Sequence, residues 1–576
     1  MSTKVIFTIM SLFSTILIIG CVVTFTLTSK TPKQWWNNSF IYQIYPRSFM
    51  DSNNDGTGDL PGISSKLDHL KDLNVSAIWI SPIYSSPMAD FGYDISNFTN
   101  VDPIFGTLED FTNLTTKAKS LGLKVLLDFV PNHSSDQHPW FVSSINKIKP
   151  FDDYYIWLDG KLVNGSYQPP NNWLSVFGGS AWEWNPIRQQ YYLHQFAKAQ
   201  PDLNYTNPLV RSEMEKVLTF WLDHGADGFR MDAVNYLLED PLFQDEPLSS
   251  KSSQVPEDDY ESLDHVYSKD MEGTFDVLKA WRKIIDSHKK AKEPKLVLTE
   301  AYADLESMKR FYEAGSDIPM NFAFIEKLNG NSTTMQFKRA IDAWLGMVPK
   351  GQVANWVIGN HDNPRVADRF GPARADFLTM LTAVLPGVGI AYYGDEIGMV
   401  GREMTWEETV DPAGCNAGQD RFGLKSRDPE RTPFQWSGEK NAGFSGANET
   451  WLPVNENFEE VNLEKQKVEV EGESHYKVFK KMVELKRNSV VVTGSVEVIL
   501  VTEDILGVVR RVDVGNPVVL LANFKNETKV VDARTWMNIP ENLSVFEASV
   551  GAGIPSGVIM DTTEVYLPAE ATVILH

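Results

Sequence analysis

Eight short apolar runs rich in Val, Ile, Phe and Tyr alternate with amphipathic stretches from Trp35 onward, and this alternation limits the fold more than any other feature of the chain. The runs are residues 40–45, 77–83, 125–130, 228–233, 296–302, 320–325, 356–360 and 389–393. Between them, Ile63 to Leu73, Leu108 to Leu121, Val210 to Leu222, Phe275 to His288 and Phe337 to Trp344 carry apolar residues at three- and four-residue steps, the period of a helix with one buried face. Strand–helix repetition of this count predicts an α/β fold of the (β/α)8 TIM-barrel type. A doubly wound sheet is the alternative, but no Gly-rich fingerprint follows the first run.

Where the alternation breaks, it predicts further domains, as the length of 576 residues also requires. After the third run, residues 134–205 are irregular and dense in Trp, Tyr, Pro and Asn, which reads as a small lid inserted over the barrel mouth. A second insertion, Gly401 to Pro453, follows the eighth run and reaches the same face. Helical periodicity stops after Tyr476 to Arg487, and β-type alternation from Val490 predicts a C-terminal antiparallel β-sandwich. The expected domains are therefore a barrel over 35–133 and 206–487, a lid over 134–205 and a sandwich over 488–576.

Residues 1–34 stand apart. Val5 to Thr28 is apolar and uncharged, longer than a signal-peptide core and matched to the roughly 20 residues that span a bilayer. With no clear small-x-small cleavage site after it, the segment reads as an uncleaved membrane anchor, with a cleaved signal peptide and secretion as the alternative. Nine Asn-x-Ser/Thr sequons from Asn37 to Asn542 fit an extracellular or lumenal globular part, while those at Asn132 and Asn204 fall in the expected site region and should stay bare. Cys21 and Cys415 are the only cysteines, so no disulfide forms within the folded part. Asp and Glu number 76 against 53 Lys and Arg, a net charge of −23 that repels nucleic acid and anionic membrane surfaces but not a neutral substrate.

Three of the eight runs end in acid: Asp232 in Gly-Phe-Arg-Met-Asp, Glu300 in Leu-Val-Leu-Thr-Glu, and Asp362 in Val-Ile-Gly-Asn-His-Asp. A lone Asp at a strand end is more often a helix cap. Three acids at the C-terminal end of one barrel are where such barrels assemble catalytic sites, and paired carboxylates across a sugar are glycosidase chemistry. Strand alternation puts Arg230 beside Asp232, where its charge would hold the carboxylate ionised. Glu300 has apolar sequence neighbours, so desolvation would raise its pKa toward that of a general acid. Asp362 follows His361; the imidazole could bind a sugar hydroxyl while the carboxylate offsets the charge of an oxocarbenium-like transition state.

An ordered set of motifs extends this reading: Tyr-Gln-Ile-Tyr-Pro-Arg-Ser-Phe from Tyr42, Asp-Phe-Val-Pro-Asn-His from Asp128, Gln-Pro-Asp-Leu-Asn from Gln200, Thr-Glu-Ala-Tyr from Thr299, and Arg-Thr-Pro-Phe-Gln-Trp from Arg431. From Trp35 to the C-terminus the chain resembles the α-amylase family of glycoside hydrolases, in its α-glucosidase and oligo-1,6-glucosidase branch, most like insect maltases. The resemblance implies that Asp232 is the nucleophile, Glu300 the acid/base and Asp362 the transition-state stabiliser. It further implies that His133 and His361 bind hydroxyls of a glucose unit, that Tyr93 stacks on its ring, that Arg230 orients Asp232, and that Asp90 with Arg427 or Arg431 closes the pocket. A closed pocket would release single glucose units from α-1,4-linked oligosaccharides such as maltose, or from sucrose, and a covalent intermediate could pass glucose to another hydroxyl. In this branch Ala after the nucleophile, here Ala233, goes with α-1,4 substrates and Val with α-1,6. Asn235, where insect maltases often have Pro, is a departure.

Asp51-Ser-Asn-Asn-Asp-Gly-Thr-Gly-Asp59 spaces oxygen ligands around a glycine turn as a calcium loop does, yet Gly62 stands where an EF-hand needs Glu. The resemblance implies a structural calcium held by Asp51, Asn53, Asp55, the Thr57 carbonyl and Asp59; an ordinary Asn-Asp-Gly turn is the alternative. The rival to an enzyme is a subunit like the heavy chains of certain amino-acid transporters, which resemble the same barrel behind a membrane segment and hold their partner through a cysteine just outside it. Here no cysteine lies between Cys21 and Cys415, and the acids are all present. A receptor that keeps a working site is a second rival.

Overall fold

The computed structural model describes residues 34–288, 293–468 and 474–576. The Val5–Thr28 segment and Cys21 lie outside them, and among the described residues no helix is long and apolar enough to cross a membrane.

Eight parallel strands form the barrel: β1 (Phe40–Ile44), β2 (Ala77–Ile80), β3 (Lys124–Phe129), β4 (Gly228–Met231), β5 (Leu296–Thr299), β6 (Ile318–Pro319), β7 (Asn355–Val357) and β8 (Val388–Tyr392). Hydrogen-bonded neighbours run β6-β5-β4-β3-β2-β1-β8-β7, so chain order is kept around the ring. The sixth strand is a correction to the sequence reading. It is the two residues Ile318–Pro319, and the second half of the run expected as strand at 320–325 turns instead into the short helix Ala323–Glu326. Pro319 has no N–H to give a ladder, so β6 ends there and never pairs with β7. Side chains close the seam. The amide of Asn355 accepts from Asn321 N at 2.8 Å and donates to Pro319 O at 2.6 Å, reinforcing a long backbone bond across the seam from Val357 N to Asn321 O at 3.4 Å.

Strand alternation separates two cores. Ile41, Trp79, Leu126, Leu296, Leu298 and Ile390 point inward and fill the barrel floor. Phe40, Tyr42, Ile78, Val125 and Phe229 point outward under the helices. Among those helices, α1 (Leu108–Ser120) starts at a Thr107–Asp110 capping box, α2 (Pro208–Asp223) at Asn207 with Pro in its first turn, and α3 (Thr334–Met347) at a Thr333–Gln336 capping box. Gly228 is needed at the start of β4, because a Cβ there would lie 2.1 Å from Leu296 O across the ladder.

Between β3 and α2 the chain forms the helix Pro139–Ile145, a three-stranded antiparallel sheet (157–158, 190–193, 182–185) and the hairpin 161–163/166–168. At the C-terminal end a six-stranded antiparallel sheet stands beside a two-stranded ladder. It opens at Ser495; residues Ser489–Thr493, read as the start of alternation, form a helical turn behind the Asn488 cap. One face of this sheet, with Val498, Val508 and Leu520, joins the large barrel core, and the other, with Val509, Val519 and Leu521, builds a core of its own.

Candidate active site

All three acids from the strand ends open onto one cavity of about 670 Å³ at the C-terminal mouth of the barrel, which Asp90, Tyr93, His133, His361 and Arg427 also line. Ser249, Lys251, Tyr260, Glu261 and Lys269 line the same cavity.

Arg230, 1% exposed, organises the acidic floor. Its Nη1 donates to Asp232 Oδ1 and, at 2.8 Å, to Asp128 Oδ1, while its Nη2 stands 3.5 Å from Glu300 Oε2. Its guanidinium lies 4.9 Å from the ring centroid of Trp79 on the barrel floor. Asp128 was legible only as part of a motif; it is fully buried and also takes the Tyr93 hydroxyl at 3.0 Å and Trp79 Nε1 at 3.2 Å. The same Glu300 oxygen accepts the Ala233 N–H at 2.7 Å, donated from a residue with a left-handed backbone (φ 48°).

Because one cation serves three buried acids, charge attraction alone does not keep Asp232 ionised, contrary to the expectation from strand alternation. Burial pushes Asp232 up to about 7 against the pull of Arg230, with Asp128 and Asp362 adding repulsion. Burial likewise raises Glu300 to about 7, opposed by Arg230 and helped by Asp232 and Asp362. Asp232 makes a direct charge-assisted bond to Arg230 and Glu300 only a longer contact, so Arg230 favours the ionised form more strongly at Asp232.

Asp362 behaves oppositely. Burial raises its pKa, but His361, Arg427 and Arg431 outweigh burial and hold it below the usual carboxylate range. Since burial keeps His361 itself neutral, the two guanidiniums carry that charge, Arg427 Nη1 at 3.1 Å and Arg431 Nη2 at 3.0 Å from Asp362 Oδ1. The two arginines have different places. Arg431 is fully buried behind the site and donates to His361 O at 2.7 Å; Arg427 faces the cavity and reaches Asp90 Oδ1 at 2.9 Å. Of the two arginines, Arg427 is therefore the one that pairs with Asp90 at the cavity wall, a choice the sequence left open.

His133 is neutral as well, pushed down to about 3 by burial. Its Nε2 faces both Tyr93 O at 3.2 Å and Gln200 Nε2 at 3.1 Å, and Gln200 also donates to Asp90 at 3.0 Å. Gln200 was seen in the sequence only as a motif letter. Tyr93 stacks on His361, the rings 8° from parallel and 5.2 Å apart, so one of its faces is covered while the ring borders the cavity. Asn132 is 1% exposed and bonded to Tyr236 O at 2.7 Å, closed to a glycan.

In the expected calcium loop the donor types fit a hard cation, while the carboxylates are held by hydrogen bonds to neighbouring donors. Asp51, Asn53, Asp55, the Thr57 carbonyl and Asp59 are all hard oxygen donors. Asp51 spends its carboxylate on Asn53 N, Asn54 N, Gly56 N and Ser445 Oγ, and Asp59 on Ser52 and Gly62. Asp55 accepts from Thr57 N and Asn53 Nδ2. Among the described residues no three His, Cys, Asp or Glu side chains gather to hold a metal.

A fold of this kind with three acids and a closing ion pair at one barrel mouth defines a glycoside hydrolase scaffold. The chain belongs to the alpha-amylase family: residues 43–494 match its catalytic domain. It is 45% identical over 525 residues to an alpha-glucosidase of Apis mellifera, covering 91% of each chain, and 47% identical to Maltase 1 of Drosophila virilis, covering 90% of this chain and 82% of that one. Its structure matches the crystal structure of an alpha-glucosyl transfer enzyme at a TM-score of 0.84 and 32% identity, over 94% of this chain and 99% of that one.

Proposed function

We infer that this protein is an exo-acting, retaining α-glucosidase that releases glucose from the non-reducing end of small α-glucosides, maltose and sucrose among them. The observation that carries the reading is that Asp232 and Glu300 meet on one guanidinium in a cavity closed by Arg427 and Asp90. In the first step the Asp232 carboxylate attacks the anomeric carbon while Glu300 protonates the departing glycosidic oxygen. The sugar is then joined to Asp232, and Glu300, now a carboxylate, takes a proton from the water that displaces it. Asp362, kept ionised by its arginines, opposes the positive charge that grows on the ring in both steps. Neutral His133 and His361 suit the hydroxyls of a neutral sugar, and the Arg427–Asp90 bridge would meet the terminal sugar at the end of the pocket.

A sugar hydroxyl that reaches the intermediate before water would receive the glucose, and the likeness to a glucosyl transfer enzyme supports that side reaction. The small Ala233 beside the nucleophile supports α-1,4 over α-1,6 substrates, by about 1 to 3 kcal/mol for a methyl-scale difference. We also propose that calcium binds Asp51, Asn53, Asp55, the Thr57 carbonyl and Asp59, where it would neutralise the loop's carboxylates in a structural role. The apolar Val5–Thr28 segment is proposed to anchor the enzyme with its catalytic part extracellular or lumenal. The deciding experiment follows maltose hydrolysis by polarimetry or NMR: α-glucose must appear first. Initial release of β-glucose would remove Asp232 from the nucleophile's role.

A further inference from the structure

Arg427 closes the pocket, yet the two acids it shows to the cavity do not set its orientation. Asp90 and Asp362 each take one bond, from Nη2 at 2.9 Å and Nη1 at 3.1 Å. A third acid, Asp411, takes Nε at 2.9 Å and Nη2 at 2.5 Å on the single oxygen Oδ1, and thereby fixes the plane of the guanidinium. The same oxygen stands 3.6 Å from Arg431 Nη1, which has no hydrogen-bond partner of its own. Its other oxygen accepts the Arg427 backbone N–H at 3.2 Å and the Gly414 N–H at 3.3 Å.

Asp411 is itself held. It is fully buried, caps the helix Pro412–Ala417, and donates its N–H to Asp428 Oδ2 at 3.0 Å. Phe177 lies under the Arg427 guanidinium, 4.7 Å from its ring centroid, so the arginine is gripped by a ring as well as by the acid. Asp411 does not line the cavity and cannot touch a sugar there.

We propose that Asp411 is the positioning residue of the closed end of the pocket: it orients Arg427 so that Asp90 and Asp362 are held at separate nitrogens and keep lone pairs free for the terminal sugar. The inference rests on the α-glucosidase reading. Were Asp411 uncharged, Arg427 would be free to settle fully onto Asp90, and that acid would lose its hold on the terminal sugar. Such a loss weakens ground and transition states alike, so it falls on KM rather than kcat.

The test is a double-mutant cycle on the full chain with maltose, using Asp411→Asn and Asp411→Ser alone and each combined with Arg427→Lys. Serine keeps the helix cap while removing the charge, so it serves where asparagine fails to fold. The expected result is a rise in KM of about 10- to 100-fold, the scale of a charge-assisted hydrogen bond, with kcat within about threefold. Weakening of glucose inhibition by the same factor is expected too. In the Arg427→Lys background the Asp411 change should add little. An unchanged KM in a folded variant, or effects that add fully in that background, would overturn the proposal and leave Asp411 a structural residue. A wild-type chain that does not hydrolyse maltose would instead sink the functional reading.

Discussion

Glu300 shows how one side chain's surroundings set its chemistry. Its sequence neighbours are apolar, which is enough to expect a raised pKa. The structure adds that burial, Asp232 and Asp362 raise it to about 7 while Arg230 and the Ala233 N–H oppose them. The sign follows: Glu300 is protonated and competent below that value, and the acid is lost as pH rises through it. We therefore expect kcat/KM for maltose to fall above about pH 7, whereas a flat profile to pH 9 would exclude Glu300 as the acid. Glu300→Gln should lower kcat by about 10²- to 10⁴-fold with an unchanged melting temperature. The partners that tune these acids were harder to read. Asp128, Gln200 and Asp411 come to the site from β3, the lid region and the insertion after β8, and no local period announces such convergence.

At the scale of elements, the strands with clear alternation were legible and the one without it was not. β6 carries only two paired residues, one of them a proline, so its run was read too far along the chain. Its seam with β7 depends on Asn355, whose amide satisfies Asn321 N and Pro319 O at full burial. Asn355→Ala would strand both groups and cost about 2 to 4 kcal/mol, read as a clear drop in melting temperature. The loop from Asp51 to Asp59 poses a different question, because its carboxylates are already satisfied by the loop's own donors. If calcium competes for them as proposed, EDTA should lower the melting temperature and added calcium restore it. A melt indifferent to both would leave an ordinary turn buttressed by Ser445 and Gly446.

For the molecule as a whole, the apolar Val5–Thr28 segment predicts that full-length protein stays in carbonate-washed membranes, and release of a shortened chain to the medium would mean a cleaved signal instead. The eightfold alternation, the C-terminal change to strand periodicity and the three acids at strand ends follow from local pattern, because a strand's period of two and a helix's of 3.6 are written residue by residue. Amino-acid order alone therefore determined the barrel, its appended sheet and the acids that face its mouth. Only tertiary structure decided that Arg427 rather than Arg431 pairs with Asp90 at the cavity, that Arg230 divides its charge among Asp128, Asp232 and Glu300, and that Asp411 stands behind Arg427. Those contacts join residues up to 337 positions apart through insertions with no period of their own, and Coulomb energy depends on distances that exist only once the chain has folded.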